Sequence, residues 1–330
     1  MKIGKLTIND LRELIFKNIR NNRSEVITNP EIGGDCAVIT TSGEDVIYLS
    51  SDPITGAANS LGKLSVNINA NDIATSGVAP LGVMLTILAP PGTNRESIEE
   101  IIKEAQSECD MLNMSILGGH TEITDAVNRI VLSVTAIGIG KKSQMKDRRA
   151  AMPGDVLIIT KGIGIEGTGI IASEKSNILE ESFGEEFVKK CKNYLNMTSV
   201  VKDGVIANKY AKGMHDVTEG GLLGALWEMC ELYKLGCKVQ YEKIKISDEV
   251  KKVTEFFGID PLKLISSGTM LISVAKDEAK ELMEELKKSG IESYEIGVLI
   301  ETSDKILVKD GVLTKIQEPE SDELYKVFED

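Results

Sequence analysis

The sequence predicts an α+β protein of two domains, and three observations carry that expectation. The chain has 330 residues, more than one hydrophobic core usually serves. Short apolar runs of strand character are mixed with amphipathic runs of helical period, without strict alternation. A charged stretch lacking apolar periodicity, Lys141–Met152, is closed by Pro153-Gly154 and reads as a linker. It sets the domains at 1–150 and 151–330.

In chain order, Leu11, Leu14, Ile15 and Ile19 recur at helical spacing within 7–20. Cys36–Thr40 and Val46–Ser50 are short apolar strands, each beside an acidic residue, Asp35 and Asp52. Residues 62–77 read as a helix rich in small and amide residues, stopped by Pro80. Its Asn67 and Asn71 stand four apart and so share a face. Leu81–Leu88 and Arg129–Gly140 read as strands, with an amphipathic helix over 95–112 between them. After the linker, Asp155–Thr160 is a strand leading into the glycine-rich segment Gly162–Gly169. Helices are expected near 185–195, 198–211, 219–233 and 276–288, with late strands at Met270–Val274 and Tyr294–Ile300.

Composition narrows the function. Hydrophobic residues make up 42% and charged residues 27%, as in ordinary globular proteins, and the formal charge is −13. That charge argues against a nucleic-acid partner or an anionic membrane surface. No apolar run reaches the roughly 20 residues that span a bilayer, and the N-terminus lacks a signal-peptide core. Five scattered cysteines without a Cys-x-x-Cys pair suit a cytoplasmic protein with neither disulfide framework nor zinc site.

The chemistry lies in acidic residues set beside glycine or other small residues. These are Gly33-Gly34-Asp35, Ser50-Ser51-Asp52, Asn71-Asp72, Gly118-Gly119-His120-Thr121-Glu122 and His215-Asp216-Val-Thr-Glu219-Gly220-Gly221. Mg²⁺ takes hard oxygen ligands and is commonly shared between one or two carboxylates and a substrate's phosphates. Glycine lets backbone N–H groups approach those phosphates. Lys63 is either a point charge on phosphate or a solvated lysine. His120 and His215, the only histidines, either contact phosphate or shuttle a proton, or hydrogen-bond backbone in tight turns. Gly162-Ile-Gly164-Ile-Glu-Gly167 fits a dinucleotide-binding string but lacks a clear βαβ setting, and no Walker A string occurs.

At these residues the chain resembles the superfamily of aminoimidazole ribonucleotide synthetase, selenophosphate synthetase, thiamine monophosphate kinase and the hydrogenase-maturation carbamoyl dehydratase. The motifs follow in the same order over nearly the whole chain. Gly62-Lys63-Leu-Ser-Val-Asn67 with Asn71-Asp72-Ile-Ala-Thr-Ser-Gly77 is the most specific stretch. Phe257-Gly258-Ile-Asp260-Pro261 with Ser267-Gly268 is similar to the hydrogenase-maturation branch. The resemblance implies an aminoimidazole ribonucleotide synthetase-like fold, with an N-terminal mixed sheet forming a dimeric barrel and a C-terminal α/β sandwich. It further implies a homodimer with ATP and Mg²⁺ between the domains. Carried over by position, Asp35, Asp52, Asp72 and Glu122 would bind metal. Asn67, Asn71, Gly118, Gly119 and Thr121 would line the nucleotide, and Lys63, His120 and Asp216 would be catalytic.

The implied reaction transfers the γ-phosphoryl group to an amide or carbonyl oxygen, on a small molecule or a protein thiocarboxylate or amide, with later loss of phosphate. Three departures bear on it. The last cysteine is Cys237 and the chain ends Leu324-Tyr-Lys-Val-Phe-Glu-Asp330, so self-carbamoylation of a tail cysteine is not expected. The kinase step Asp-x-Ser-Asp-Gly is replaced by Asp216-Val-Thr-Glu219-Gly, and no reactive cysteine stands near the N-terminus. A non-catalytic nucleotide sensor or maturation partner, or a small-molecule kinase, are the alternatives.

Overall fold

The computed structural model describes residues 5–20, 23–54, 60–145 and 150–328. The strands of the first half are β1 (Ala37–Thr40), β2 (Asp45–Ile54), β3 (Pro80–Ala89), β4 (Ser115–Ile123) and β5 (Val131–Lys141). They form a mixed sheet in the order β1-β2-β5-β3-β4, with β3 and β4 parallel and the other pairs antiparallel. Its helices are α1 (Ile8–Asp10), α2 (Leu61–Thr75) and α3 (Arg95–Met111).

The second half holds β6 (Val156–Thr160), β7 (Ala211–Asp216), β8 (Gly236–Gln240), β9 (Met270–Val274), β10 (Ser293–Ile300), β11 (Lys305–Lys309) and β12 (Val312–Lys315). Their order is β12-β11-β8-β10-β6-β9-β7, with only β8 and β11 parallel. The helices are α4 (Ile165–Glu174), α5 (Ser176–Phe183), α6 (Glu185–Lys192), α7 (Val201–Ala207), α8 (Gly221–Tyr233), α9 (Asp248–Phe257), α10 (Ala279–Lys288) and α11 (Glu323–Lys326). β6 and β9 are buried along their whole length. Such two-faced burial explains their mostly apolar sequence. Helices thus flank the sheet, an α/β sandwich.

α2 joins the two halves. Every residue of it except Lys63 is buried, between β2 and β5, α3, and α7 with β7. A helix buried all round normally lacks polar groups. This one pairs its amides locally, apart from the Asn67 Oδ1 atom. Asn71 donates to the Thr198 carbonyl at 2.8 Å and accepts from the Val200 N–H at 2.7 Å. Asn67 donates to Glu108 and to the Thr198 hydroxyl, both at 3.1 Å.

The long periodic elements lie where the sequence places them. The 7–20 helix does not: α1 runs into a wide turn at Leu11–Ile15 and a tight one at Phe16–Asn18, and Leu14, Ile15 and Ile19 are exposed. The helix expected at 198–211 is the shorter α7, because the chain must turn into β7 by Ala211. β4, β8, β11 and β12 are short or glycine-bearing and carry no strong alternation. Residues 146–149 of the linker stretch, and Thr55 beside the Asp52 motif, lie outside the described residues. The five cysteines are buried, and no disulfide joins them. Among the described residues no helix is long and apolar enough to cross a membrane.

Candidate active site

Four aspartates from four different elements meet along a cavity of about 820 Å³. Asp35 stands in the turn before β1, where Gly33 has φ +72°. A Cβ there would lie 2.8 Å from the Glu228 carbonyl, so only glycine lets this turn rest on α8. Asp52 lies near the end of β2, and Asn69 of α2 grips its backbone. The Asp52 N–H donates to Asn69 Oδ1 at 2.8 Å, and Asn69 Nδ2 donates to the Asp52 carbonyl at 3.3 Å. Asp72, on α2, accepts a hydrogen bond from the Ser50 hydroxyl, and the Cys36 thiol donates to its carbonyl at 2.9 Å. Asp216 ends β7 and is 2% exposed.

The electrostatics of the group are those of crowded carboxylates. Burial, then the charges of Asp216, Asp52 and Asp35, push the Asp72 carboxyl well above the usual 3.8. Burial and Asp35 push Asp216 up to about 7, with His215 opposing. His215 sits between Asp35, at 2.8 Å from Nδ1, and Glu228, at 3.0 Å from Nε2. Burial works against protonation, but the two carboxylates outweigh it and raise His215 well above 6.5. Lying between two carboxylates, His215 is placed as their countercharge. Glu228, although buried, is drawn down to about 2 by His215 and by Lys5, whose Nζ is 3.0 Å away.

Ligand atoms of Asp35, His215 and Asp216 lie within 4.8 Å of one another. Asp52 and Asp72 line the same cavity but are not in that group. Asp216 Oδ2 is buried and has no hydrogen-bond partner among the described residues. Such an orphaned oxygen, close to the Asp35 carboxylate on a cavity wall, fits a hard divalent cation such as Mg²⁺.

The remaining residues named from the sequence lie elsewhere. Lys63 Nζ reaches Asn196 Oδ1 at 2.5 Å and Glu108 at 3.4 Å, and with Asn67 and Asn71 it lies outside the cavity lining. Gly118, Gly119, His120, Thr121 and Glu122 run along the exposed edge strand β4, where His120 and Glu122 pair at 3.4 Å. Gly119 has φ +153°, and a Cβ would sit 1.8 Å from the Leu85 carbonyl. Glycine here is a demand of strand packing. The sequence reading passed over Lys5, Arg129, Asn69, Glu166 and Glu228, of which all but Asn69 line the cavity. Glu166 had been only a spacer within the glycine-rich segment.

The N-terminal domain of AIR synthase related proteins matches residues 33–140, and the C-terminal domain matches 152–310. The chain belongs to the AIR synthase related family. A Methanocaldococcus jannaschii protein, provisionally named for hydrogenase expression and formation, is 28% identical over 91% of this chain and 91% of its own length. The carbamoyl dehydratase HypE of Rhizobium leguminosarum is 27% identical over 76% of this chain and 69% of its own. The thiamine-monophosphate kinase of Pyrococcus abyssi is 24% identical over 74% and 75%. Among solved structures, Escherichia coli HypE superposes with a TM-score of 0.73 at 18% identity, covering 85% of this chain and 88% of its own. ThiL complexed with AMPPCP and TMP gives 0.75 at 19%, covering 95% and 96%. The two-domain fold of the AIR synthase related family is thereby shown.

Proposed function

We propose that this chain binds Mg²⁺–ATP in the aspartate-lined cavity and transfers the γ-phosphoryl group to an amide or carbonyl oxygen, with later loss of phosphate. The coarse part, an ATP-dependent enzyme of the AIR synthase related family, follows from the family match. The observation that carries the finer reading is the convergence of Asp35, Asp52, Asp72 and Asp216 around a buried, unpartnered carboxylate oxygen. Relatives named as carbamoyl dehydratases, and a HypE structure in complex with ATP, support it.

The four aspartates would hold Mg²⁺, which when bound offsets charge on the phosphates. Phosphoryl transfer is catalysed mainly by positioning and electrostatic stabilisation. Among the described residues, Lys5, Arg129 and His215 are the basic residues lining the cavity and the cations it offers a polyphosphate. Asn69 fixes Asp52 by its backbone, so that carboxylate meets the ligand without first being ordered. We place the domain division at 150/151, and assign Lys63, Asn67 and Asn71 to holding the two halves together.

A homodimer belongs to the same proposal. On the first sheet Leu81, Met84, Leu117 and Ile139 are about half exposed while Val83, Leu85 and Ile87 are buried. An apolar sheet face of this kind suits a second copy. It would also bring the β4 residues Gly118, Gly119, His120, Thr121 and Glu122 beside the partner.

The test is turnover. ADP and phosphate should appear when purified protein is incubated with Mg²⁺–ATP and candidate amides, and Asp52→Asn or Asp72→Asn should abolish both. Full turnover in both variants would sink the assignment. Phosphate retained on the acceptor would instead select the kinase reading, which the thiamine-monophosphate kinase relatives favour.

A further inference from the structure

Two of the five cysteines meet in the core of the second half, and neither lines the cavity. Cys230, near the end of α8, is 1% exposed, and Cys237, on β8, is 0% exposed. The turn between them is tight. The Leu235 N–H donates to the Cys230 carbonyl at 3.1 Å, and Lys234 takes φ +58°. It folds β8 back against α8, and the Cys230 thiol donates a hydrogen bond to the Cys237 sulfur.

Buried cysteine is ordinarily a small apolar filler. What sets this pair apart is the charge placed against it. In the parallel pairing of β8 with β11, Lys305 stands directly opposite Cys237. This lysine is 6% exposed, with its Nζ 2.8 Å from Glu231 and 5.2 Å from the centre of the Trp227 ring. The Ile306 N–H donates to the Cys237 sulfur as well. One sulfur thus receives an S–H, an N–H and the field of a buried ammonium, each of which favours its thiolate. The Cys230 bond, with the Ile306 N–H and Lys305, holds Cys237 below the ordinary 9.0 although burial opposes it. The same bond, then burial, keeps the proton on Cys230. Elsewhere in the core, burial pushes Cys109 up to about 11 and Cys191 up to about 12.

We propose that Cys230 and Cys237 are a redox-active dithiol, which hydrogen peroxide oxidises to an intramolecular disulfide and a dithiol reductant restores. The Cys237 thiolate attacks one peroxide oxygen and breaks the O–O bond, leaving a sulfenic acid. The other oxygen leaves as hydroxide and takes up the proton that Cys237 released. The Cys230 sulfur then displaces hydroxide from the sulfenic sulfur, and its own proton completes a second water. Two thiols and one peroxide give one disulfide and two waters, the sulfurs having supplied two electrons. Glu231, 31% exposed, ties Lys305 to the surface, which suits an oxidant scarcely larger than water. The inference is independent of the phosphoryl-transfer reading.

The test uses the reduced full chain, exposed to hydrogen peroxide, cleared with catalase, then unfolded in excess N-ethylmaleimide and weighed by mass spectrometry. Five adducts on the reduced chain should fall to three, with the two thiol hydrogens lost, and dithiothreitol should restore all five. Peptide mapping should place the cross-link between Cys230 and Cys237. The pair should lose label at least about tenfold faster than Cys36, Cys109 and Cys191, the internal controls. In Cys230→Ser the reaction should stop at a sulfenic acid on Cys237, trapped by dimedone. Should that variant fail to fold, the wild-type map decides alone. Five adducts remaining when glutathione in a parallel tube is fully oxidised would overturn the site. So would a pair that oxidises no faster than the other three cysteines.

Discussion

Asp72 shows what a buried acid costs when it is kept for a ligand. Its carboxyl is disfavoured by burial and by three neighbouring aspartates, with the Ser50 hydroxyl as its compensation. Asp72→Asn should raise the melting temperature of the ligand-free protein by a few degrees while abolishing any gain from Mg²⁺–ATP. A variant that melts below the wild type would contradict this. Glu166 gives the pH dependence. Burial holds it at about 7 against an ordinary 4.5, so the folded state binds the extra proton. Stability from this group is therefore full below about 4.5 and is lost as pH rises to about 7. Asp322, raised by burial to about 6, acts in the same direction. Urea midpoints of the ligand-free protein should fall across that window, and Glu166→Gln should flatten the fall; parallel profiles would refute the account. Asp35 and Asp52 attract notice in the sequence because small residues precede them, Gly33-Gly34 and Ser50-Ser51. Their partners do not. Lys5, Glu219 and Glu228 meet only because the N-terminal segment lies on the second half of the fold, with the Lys5 N–H 3.0 Å from Glu219.

At the scale of elements, α2 carries the most information. An amide-rich helix without long charged residues signals something to bond, and the sequence alone could not distinguish nucleotide from neighbouring backbone. Asn71 turns out to clamp the loop before α7, whose N–H and carbonyl have no helical partner of their own. Asn71→Ala should cost about 2 kcal/mol, because the buried Val200 N–H is left unsatisfied. Denaturant unfolding measures it. A cost under about 0.5 kcal/mol would show the clamp to be incidental. The strongly periodic α3 was readable to within a residue, whereas β4 was not read as a strand. Gly118 and Gly119 remove the alternation by which strands are recognised, and tertiary packing against Leu85 makes the strand anyway.

For the whole molecule, one apolar face of the first sheet is left uncovered by the described residues while α2 and α3 cover the other. If a second copy covers it, Met84→Glu should convert a dimer to a monomer in light scattering without lowering helix content. An unchanged mass would remove the dimer from the account. The two-domain fold was legible from length and motif order. The cavity between the halves was not, since it depends on how β7 and α8 of one half face β2 and α2 of the other.

The central claim is that this cavity holds a metal–nucleotide complex, and thermal unfolding with ATP, with and without Mg²⁺, tests it most directly. A ligand at 100 times its dissociation constant stabilises a fold by roughly 2.7 kcal/mol. The account predicts a clear rise in melting temperature with ATP that requires Mg²⁺ and disappears in Asp72→Asn. No rise at millimolar ATP, or the same rise without Mg²⁺, would contradict it.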